Sequence, residues 1–152
     1  MMFVIADGGR EKAGFKGSTG DCVVRAIAIA TGADYKAVYE ELYQIAKDFK
    51  PVQRKTKKHL KHIAKINASP SPRLGVHLLV SDSYLESRGY CPVKTKCLLD
   101  DALFSEGTFI VYTRRHFSVI KDGALFDSYD SRMTMGVFSE KKIRTVTRYW
   151  KF

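Results

Sequence analysis

Ser18-Thr19-Gly20-Asp21-Cys22-Val23-Val24-Arg25-Ala26-Ile27-Ala28-Ile29-Ala30-Thr31-Gly32 sets a cysteine directly after a turn and then runs apolar on every side, except at Arg25. A helix that is hydrophobic all round is buried within its domain, so this stretch reads as the central helix of the fold. Asp21 is a favoured N-cap residue, which puts Cys22 in the first helical turn, and Thr31-Gly32 supplies the stop. Unsatisfied amides and the macrodipole at that end favour a thiolate, and cysteine pKa values at such positions fall from about 8.5 into the range of roughly 3.5 to 7.5. Asp21 next to it pulls the other way. The competing reading is a small buried hydrophobe, the commonest fate of a free cysteine, and a partner elsewhere in the chain has to decide.

Downstream, Asp34 can cap a second helix whose apolar positions Tyr35, Val38, Tyr39, Leu42, Ile45, Ala46 and Phe49 follow an i, i+3, i+4, i+7 series. Residues 56 to 66 give a shorter helix with Leu60, Ile63 and Ala64 inward and Lys57, Lys58, Lys61 and Lys65 outward. A further helix is expected from about His77 to Arg88, with Gly89 as its stop, and a short one from Leu98 to Ser105. The period then changes to that of strands. Thr108 to Thr113 and His116 to Ile120 are rich in β-branched and aromatic residues. Asp122-Gly123 is a two-residue type I′ turn signal, with a return strand from Leu125 to Tyr129 and another strand at Ile143 to Trp150. Helices first and an antiparallel sheet second is an α+β arrangement.

The 152 residues fit one domain, 1–152, and 45% hydrophobic with 28% charged residues is an ordinary globular composition. The Met1-Met2-Phe3-Val4-Ile5-Ala6 start reads as a short strand, too brief and without the basic flank of a signal peptide. No run approaches the roughly 18 apolar residues of a membrane span, so no membrane association is expected. Three cysteines, an odd number, without an export signal point to a reducing cytoplasm rather than a disulfide framework. Cys91 and Cys97 lack zinc-ligand spacing and are read as structural; no metal and no cofactor is expected.

The net charge of +10 is local. Lys50 to Lys65 holds seven Lys or Arg and no acid, leaving 19 basic against 16 acidic residues elsewhere. Lys57, Lys58, Lys61 and Lys65 are therefore candidates for contact with a polyanion, either nucleic acid phosphates or an acidic protein.

Cys22 at a helix N-terminus, His116 far downstream on a strand and Asp127 on the next strand match the logic of thiol nucleophile, base and orienting acid. Imidazole takes the thiol proton or holds an ion pair with the thiolate, and a carboxylate fixes the ring's tautomer. If Asp122-Gly123 is the whole turn, Ile120 pairs with Leu125 and Ser118 with Asp127, and His116, Ser118 and Asp127 share one face while Asp130 points away.

Gly20-Asp21-Cys22-Val23-Val24-Arg25-Ala26, Tyr84-Leu85-Glu86-Ser87-Arg88-Gly89-Tyr90, and His116-Phe117-Ser118-Val119-Ile120 followed by Phe126-Asp127-Ser128 resemble the small papain-like cysteine peptidases, particularly short single-domain versions encoded by phages and mobile elements. The resemblance implies a papain-like fold, a buried central helix carrying the cysteine packed on an antiparallel sheet, with Cys22 as nucleophile, His116 as base and Asp127 as orienting acid. It also implies a protein or peptide substrate, cleaved at an amide or isopeptide bond in the cytoplasm, that of a host if the chain is phage-encoded.

Papain-like enzymes usually place a Gln or Asn shortly before the cysteine as oxyanion donor, and here neither occurs before Gln44. The hole would come from the Cys22 amide with Lys16, Ser18 or Thr19, and loss of one donor typically costs about 100- to 1000-fold in rate. Two rival readings therefore stand: a catalytically idle module that binds a host protein or nucleic acid through residues 50 to 65, and a thiol acyltransferase such as a transglutaminase.

Overall fold

The computed structural model describes residues 1–17, 20–50, 57–135 and 141–152, apart from the side chains of residues 57–59 and 135. Its architecture is α+β. Strand β1 (Met2–Ile5) comes first, followed by helices α1 (Cys22–Thr31), α2 (Tyr35–Lys47), α3 (Lys57–Ala68) and α4 (Leu78–Glu86). Strands β2 (Val93–Leu98), β3 (Thr108–Thr113), β4 (His116–Lys121), β5 (Ala124–Asp127), β6 (Met133–Met135), β7 (Lys141–Ile143) and β8 (Thr145–Lys151) complete it.

Six strands form one sheet in the order β1-β5-β4-β3-β8-β2, and β6 pairs with β7. The sheet is antiparallel except at one edge, where β1 runs parallel to β5 with Ile5 opposite Asp127. The hairpin from β4 to β5 turns at Asp122 and Gly123, both at positive φ, as a type I′ turn requires. Its register pairs Lys121 with Ala124, Ile120 with Leu125 and Val119 with Phe126, as the turn signal predicted. The expected return strand stops at Asp127, two residues early.

The alternating side chains divide the sheet into two apolar layers. Ile110, Phe117, Val119 and Trp150 pack with α1, α2 and α4. Phe109, Val111, Ile120, Leu125 and Val146 face away, covered by Leu99 and Phe104. Trp150 is fully buried and stacks on Phe117 with ring centroids 5.5 Å apart. Helix α1 is buried from Val23 to Ala28, Arg25 included. Each fully buried Val or Ile contributes about 1.5 to 3 kcal/mol relative to exposure, so the helix is held by the layers around it. It ends at Gly32, whose φ of 73° is the left-handed conformation of a helix stop.

Two local expectations are corrected. The segment Leu98 to Ser105 is not a helix: Val93 to Leu98 is a strand, and only Ala102 to Phe104 makes one 3-10 turn. In α3 the buried residue is Ile66, while Leu60 is 48% exposed and Ala64 is exposed, so the apolar face sits further along the helix than its spacing suggested. Lys61 and Lys65 do face outward; the side chains of Lys57 and Lys58 lie outside the described residues. Among the described residues no helix is long and apolar enough to cross a membrane.

Candidate active site

Cys22 is the first residue of α1 and is half-buried. Asp21 occupies the N-cap position, but its carboxylate makes no capping bond to the helix. It is 2% exposed and turns inward, accepting from Arg10 Nε at 2.8 Å and from the Tyr35 hydroxyl at 2.5 Å, with Arg25 Nε 3.1 Å away. A buried carboxylate is stable only when paired and hydrogen-bonded. Two guanidiniums and a phenol satisfy it better than one helix amide, which is why the capping rule loses here. Burial, together with the hydrogen bond to Asp21, pushes the Tyr35 hydroxyl far above its usual range.

The approach to Cys22 is pressed against a second loop. Gly20 donates its amide to the Arg73 carbonyl at 3.0 Å, and a Cβ on Gly20 would lie 3.1 Å from the Gly75 nitrogen. Only glycine allows the two backbones to close to that distance.

His116 opens β4, and Asp127 closes β5. His116 Nε2 donates to Asp127 Oδ2 at 2.6 Å, and the Cys22 side chain is near enough to the ring to favour its charged form; Nδ1 is the ring nitrogen that Asp127 leaves unused. The three residues named from sequence thus meet at one end of the sheet. Burial alone would lower the His116 pKa, but the hydrogen bonds and charges of Asp127 and Cys22 outweigh it and hold the imidazole up at about 9. Burial likewise pushes Asp127 up, and the bonds from His116, Ser131 and Ser118 more than reverse this, so it lies below the usual carboxylate range. Both shifts run in the direction that favours an imidazolium paired with a carboxylate.

Around Asp127 the structure adds bonds that the sequence did not specify: Ser118 was placed only on its shared face, and Ser131 was not singled out. Ser118 and Ser131, both buried, donate to Oδ2 at 2.7 and 2.6 Å. The Ser128 amide donates to Oδ1 at 2.7 Å. Arg25 donates from Nη1 to the Ser128 hydroxyl, and the same nitrogen is 3.8 Å from Asp127 Oδ1. Arg25 therefore joins Asp21, just before Cys22, to Asp127 behind His116. Its sequence signal was visible: it is the one charge in an otherwise apolar helix, and a charge buried there needs partners. Asp130 is exposed, is bonded by Arg132 and is held down at about 2 by that bond; it plays no part at His116. Tyr129, beyond the end of β5, lays its ring 5.2 Å from that of His116.

Of the oxyanion candidates, Lys16 is exposed and its carbonyl accepts from Arg10 and Arg73 at 3.1 and 3.0 Å. Ser18 and Thr19 lie outside the described residues. The Cys22 amide, at the start of α1, has no intrahelical partner by position. Beside Cys22 opens a cleft of about 420 Å³, lined by Val76, Leu78, Tyr112, Arg115 and Phe117 among others. The three cysteines are all free thiols; Cys91 is exposed and Cys97 half-buried. Among the described residues no group of three or more His, Cys, Asp or Glu side chains is arranged to hold a metal ion.

Comparison with protein-family models, with curated proteins and with solved structures finds nothing that matches this chain.

Proposed function

We propose that this chain is a papain-like thiol hydrolase that cleaves an amide or isopeptide bond through Cys22, His116 and Asp127. The observation that carries the reading is His116 bonded through Nε2 to Asp127 Oδ2, with the Cys22 side chain beside the ring. Asp127 fixes the ring with Nε2 bonded to carboxylate, so Nδ1 is available to exchange a proton with sulfur. In the reaction the thiolate adds to the substrate carbonyl, the imidazolium gives its proton to the departing amine, and a thioester forms as the C–N bond breaks. Water, deprotonated by the now neutral His116, then attacks the thioester, releasing the acid and restoring Cys22. An amine in place of water would make the same site an acyltransferase. A protein or peptide in a reducing cytoplasm is the substrate this chemistry fits.

The test uses a simple electrophile. Iodoacetamide applied across pH, with mass spectrometry to locate the label, is expected to modify half-buried Cys22 ahead of exposed Cys91, and His116→Ala is expected to remove that lead. Exposure alone predicts the reverse order. Labelling of Cys91 or Cys97 first would overturn the assignment.

A binding reading is favoured by one observation, the exposure of Lys50, Lys61 and Lys65 in the acid-free basic segment. On that reading binding to DNA or RNA falls steeply with salt, and Cys22 is no more reactive than its exposure dictates.

A further inference from the structure

The cleft beside Cys22 shares Val76, His77 and Arg115 with a second cleft of about 550 Å³. Leu42, Ile66 and Val80 give the second an aliphatic floor, and His62 and Lys65 stand on its rim. Among the described residues no acidic residue lines either cleft. Arg115 is at the junction. Arg10, Arg25, Arg88, Arg132 and Arg148 each pair with a carboxylate of the chain. Among the described residues Arg115, like Arg73, Arg114 and Arg144, has no carboxylate partner; of these four it is the one that lines both clefts, and its side chain is exposed.

Its backbone is also unusual. Arg114 and Arg115 are the two residues joining paired Thr113 and His116, and Arg115 has φ of 60°. That conformation suits glycine and is uncommon for a long side chain. The turn immediately before the base thus carries an unpaired guanidinium in a strained setting, a combination that clusters at ligand-binding positions.

We propose that the two clefts form one groove for an acidic peptide segment, and that Arg115 selects a carboxylate side chain close to the bond attacked by Cys22. This rests on the thiol hydrolase reading. The occupant follows from complementarity: aliphatic walls take apolar side chains, and a planar guanidinium takes a carboxylate through two parallel N–H bonds. A single-stranded nucleic acid would call for stacking platforms along its whole length; the rings of Tyr112 and Phe117 line only the cleft beside Cys22, Phe117 is buried, and the floor of the larger cleft is aliphatic.

Two tetrapeptidyl chloromethyl ketones test this, identical except for Glu or Gln at the second and third residues from the ketone. Cys22 sulfur displaces chloride to form a thioether, and intact mass follows its rate. The Glu peptide is expected to react about tenfold faster with the native chain, the equivalent of one modest charge-assisted contact. Arg115→Gln and Arg115→Gly, the second of which also relieves the backbone, are expected to bring the two rates within about twofold, while Arg114→Gln leaves the difference in place. Equal rates in the native chain, with iodoacetamide still labelling Cys22 first, overturn the selection by Arg115 and leave the hydrolase reading standing. A difference that survives both Arg115 variants overturns it as well. A single-stranded oligonucleotide that shields Cys22 from peptides reacting alike assigns the cationic wall to nucleic acid and rejects the peptide groove. If iodoacetamide labels Cys91 or Cys97 before Cys22, the hydrolase reading falls and this proposal with it.

Discussion

Arg25 Nη1 stands 3.8 Å from Asp127 Oδ1, while Oδ2 of the same carboxylate accepts His116 Nε2. One oxygen thus holds the imidazole of His116 and the other faces a buried cation tied, through Asp21, to the start of the helix that carries Cys22. Arg25→Met is expected to lower stability by about 3 kcal/mol, the low end for breaking a buried pair, because Asp21 keeps Arg10 and Asp127 keeps His116. It also removes a charge that favours the Asp127 carboxylate, so the acid side of the Cys22 alkylation profile should move to higher pH. Urea unfolding and the alkylation profile measure the two effects; Arg25→Lys should recover part of each. A profile unchanged in Arg25→Met would limit Arg25 to a structural role.

Asp127 and Asp130 lie three residues apart but differ in surroundings, one buried on His116 and the other exposed on Arg132. Asp127→Ala should slow Cys22 alkylation near neutral pH by about tenfold or more, since the ring loses the group that fixes its tautomer. Asp130→Ala should change it less than about twofold. Equal effects would remove Asp127 from the site.

The raised pKa of His116 has a consequence for stability with a definite sign. From 6.5 in the unfolded chain to about 9 in the folded one, the native state binds the proton that the unfolded state has released, so stability falls as pH rises through that window. The contribution is complete below about 6.5 and gone above about 9. Asp127 acts oppositely: its lowered pKa gives stability above its unfolded value of 3.8 that is lost as pH falls through the folded one. Urea midpoints measured from pH 6 to 10 should show the decline in the native chain and a flatter course in His116→Ala. Parallel curves would mean that His116 is not held as an imidazolium.

Gly20→Ala sets a methyl group against backbone atoms, 3.1 Å from the Gly75 nitrogen and 3.3 Å from the Leu74 carbonyl carbon. Backbone yields poorly, and overpacking of this kind costs typically about 1 to 3 kcal/mol. The strain falls two residues before Cys22, so alkylation should slow together with the loss of stability. Unchanged denaturation and reactivity would show that the two loops part easily.

What was legible in the chain was local or periodic. Asp122-Gly123 fixed the register of β4 on β5, and with it the shared face of His116, Ser118 and Asp127, because a two-residue turn leaves no freedom to slip. Asp34 caps α2 through the Ala37 amide, as expected of a side chain with no better partner. Asp21 had better partners in Arg10, Arg25 and Tyr35, and no local rule weighs a cap against groups brought in by tertiary packing. Strand β2 was hidden because it lies at the sheet edge, where none of its residues is fully buried and Lys94 and Lys96 break up its apolar content. The parallel pairing of β1 with β5 joins the two ends of a long loop, and neither strand records the other in its own sequence.

Trp150 is the sole tryptophan in the chain. Its ring is stacked on Phe117, the residue that follows His116, and its indole N–H is buried with no hydrogen-bond partner among the described residues. Indole emission shifts to longer wavelength when water reaches the ring, so intrinsic fluorescence in this protein reports one place only: the face of the sheet where Trp150 of β8 reaches past β3 to Phe117 on the strand that carries His116. A variant that loosens that strand announces itself optically before any substrate is known, and a variant that changes only the chemistry of Cys22 leaves the spectrum where it was.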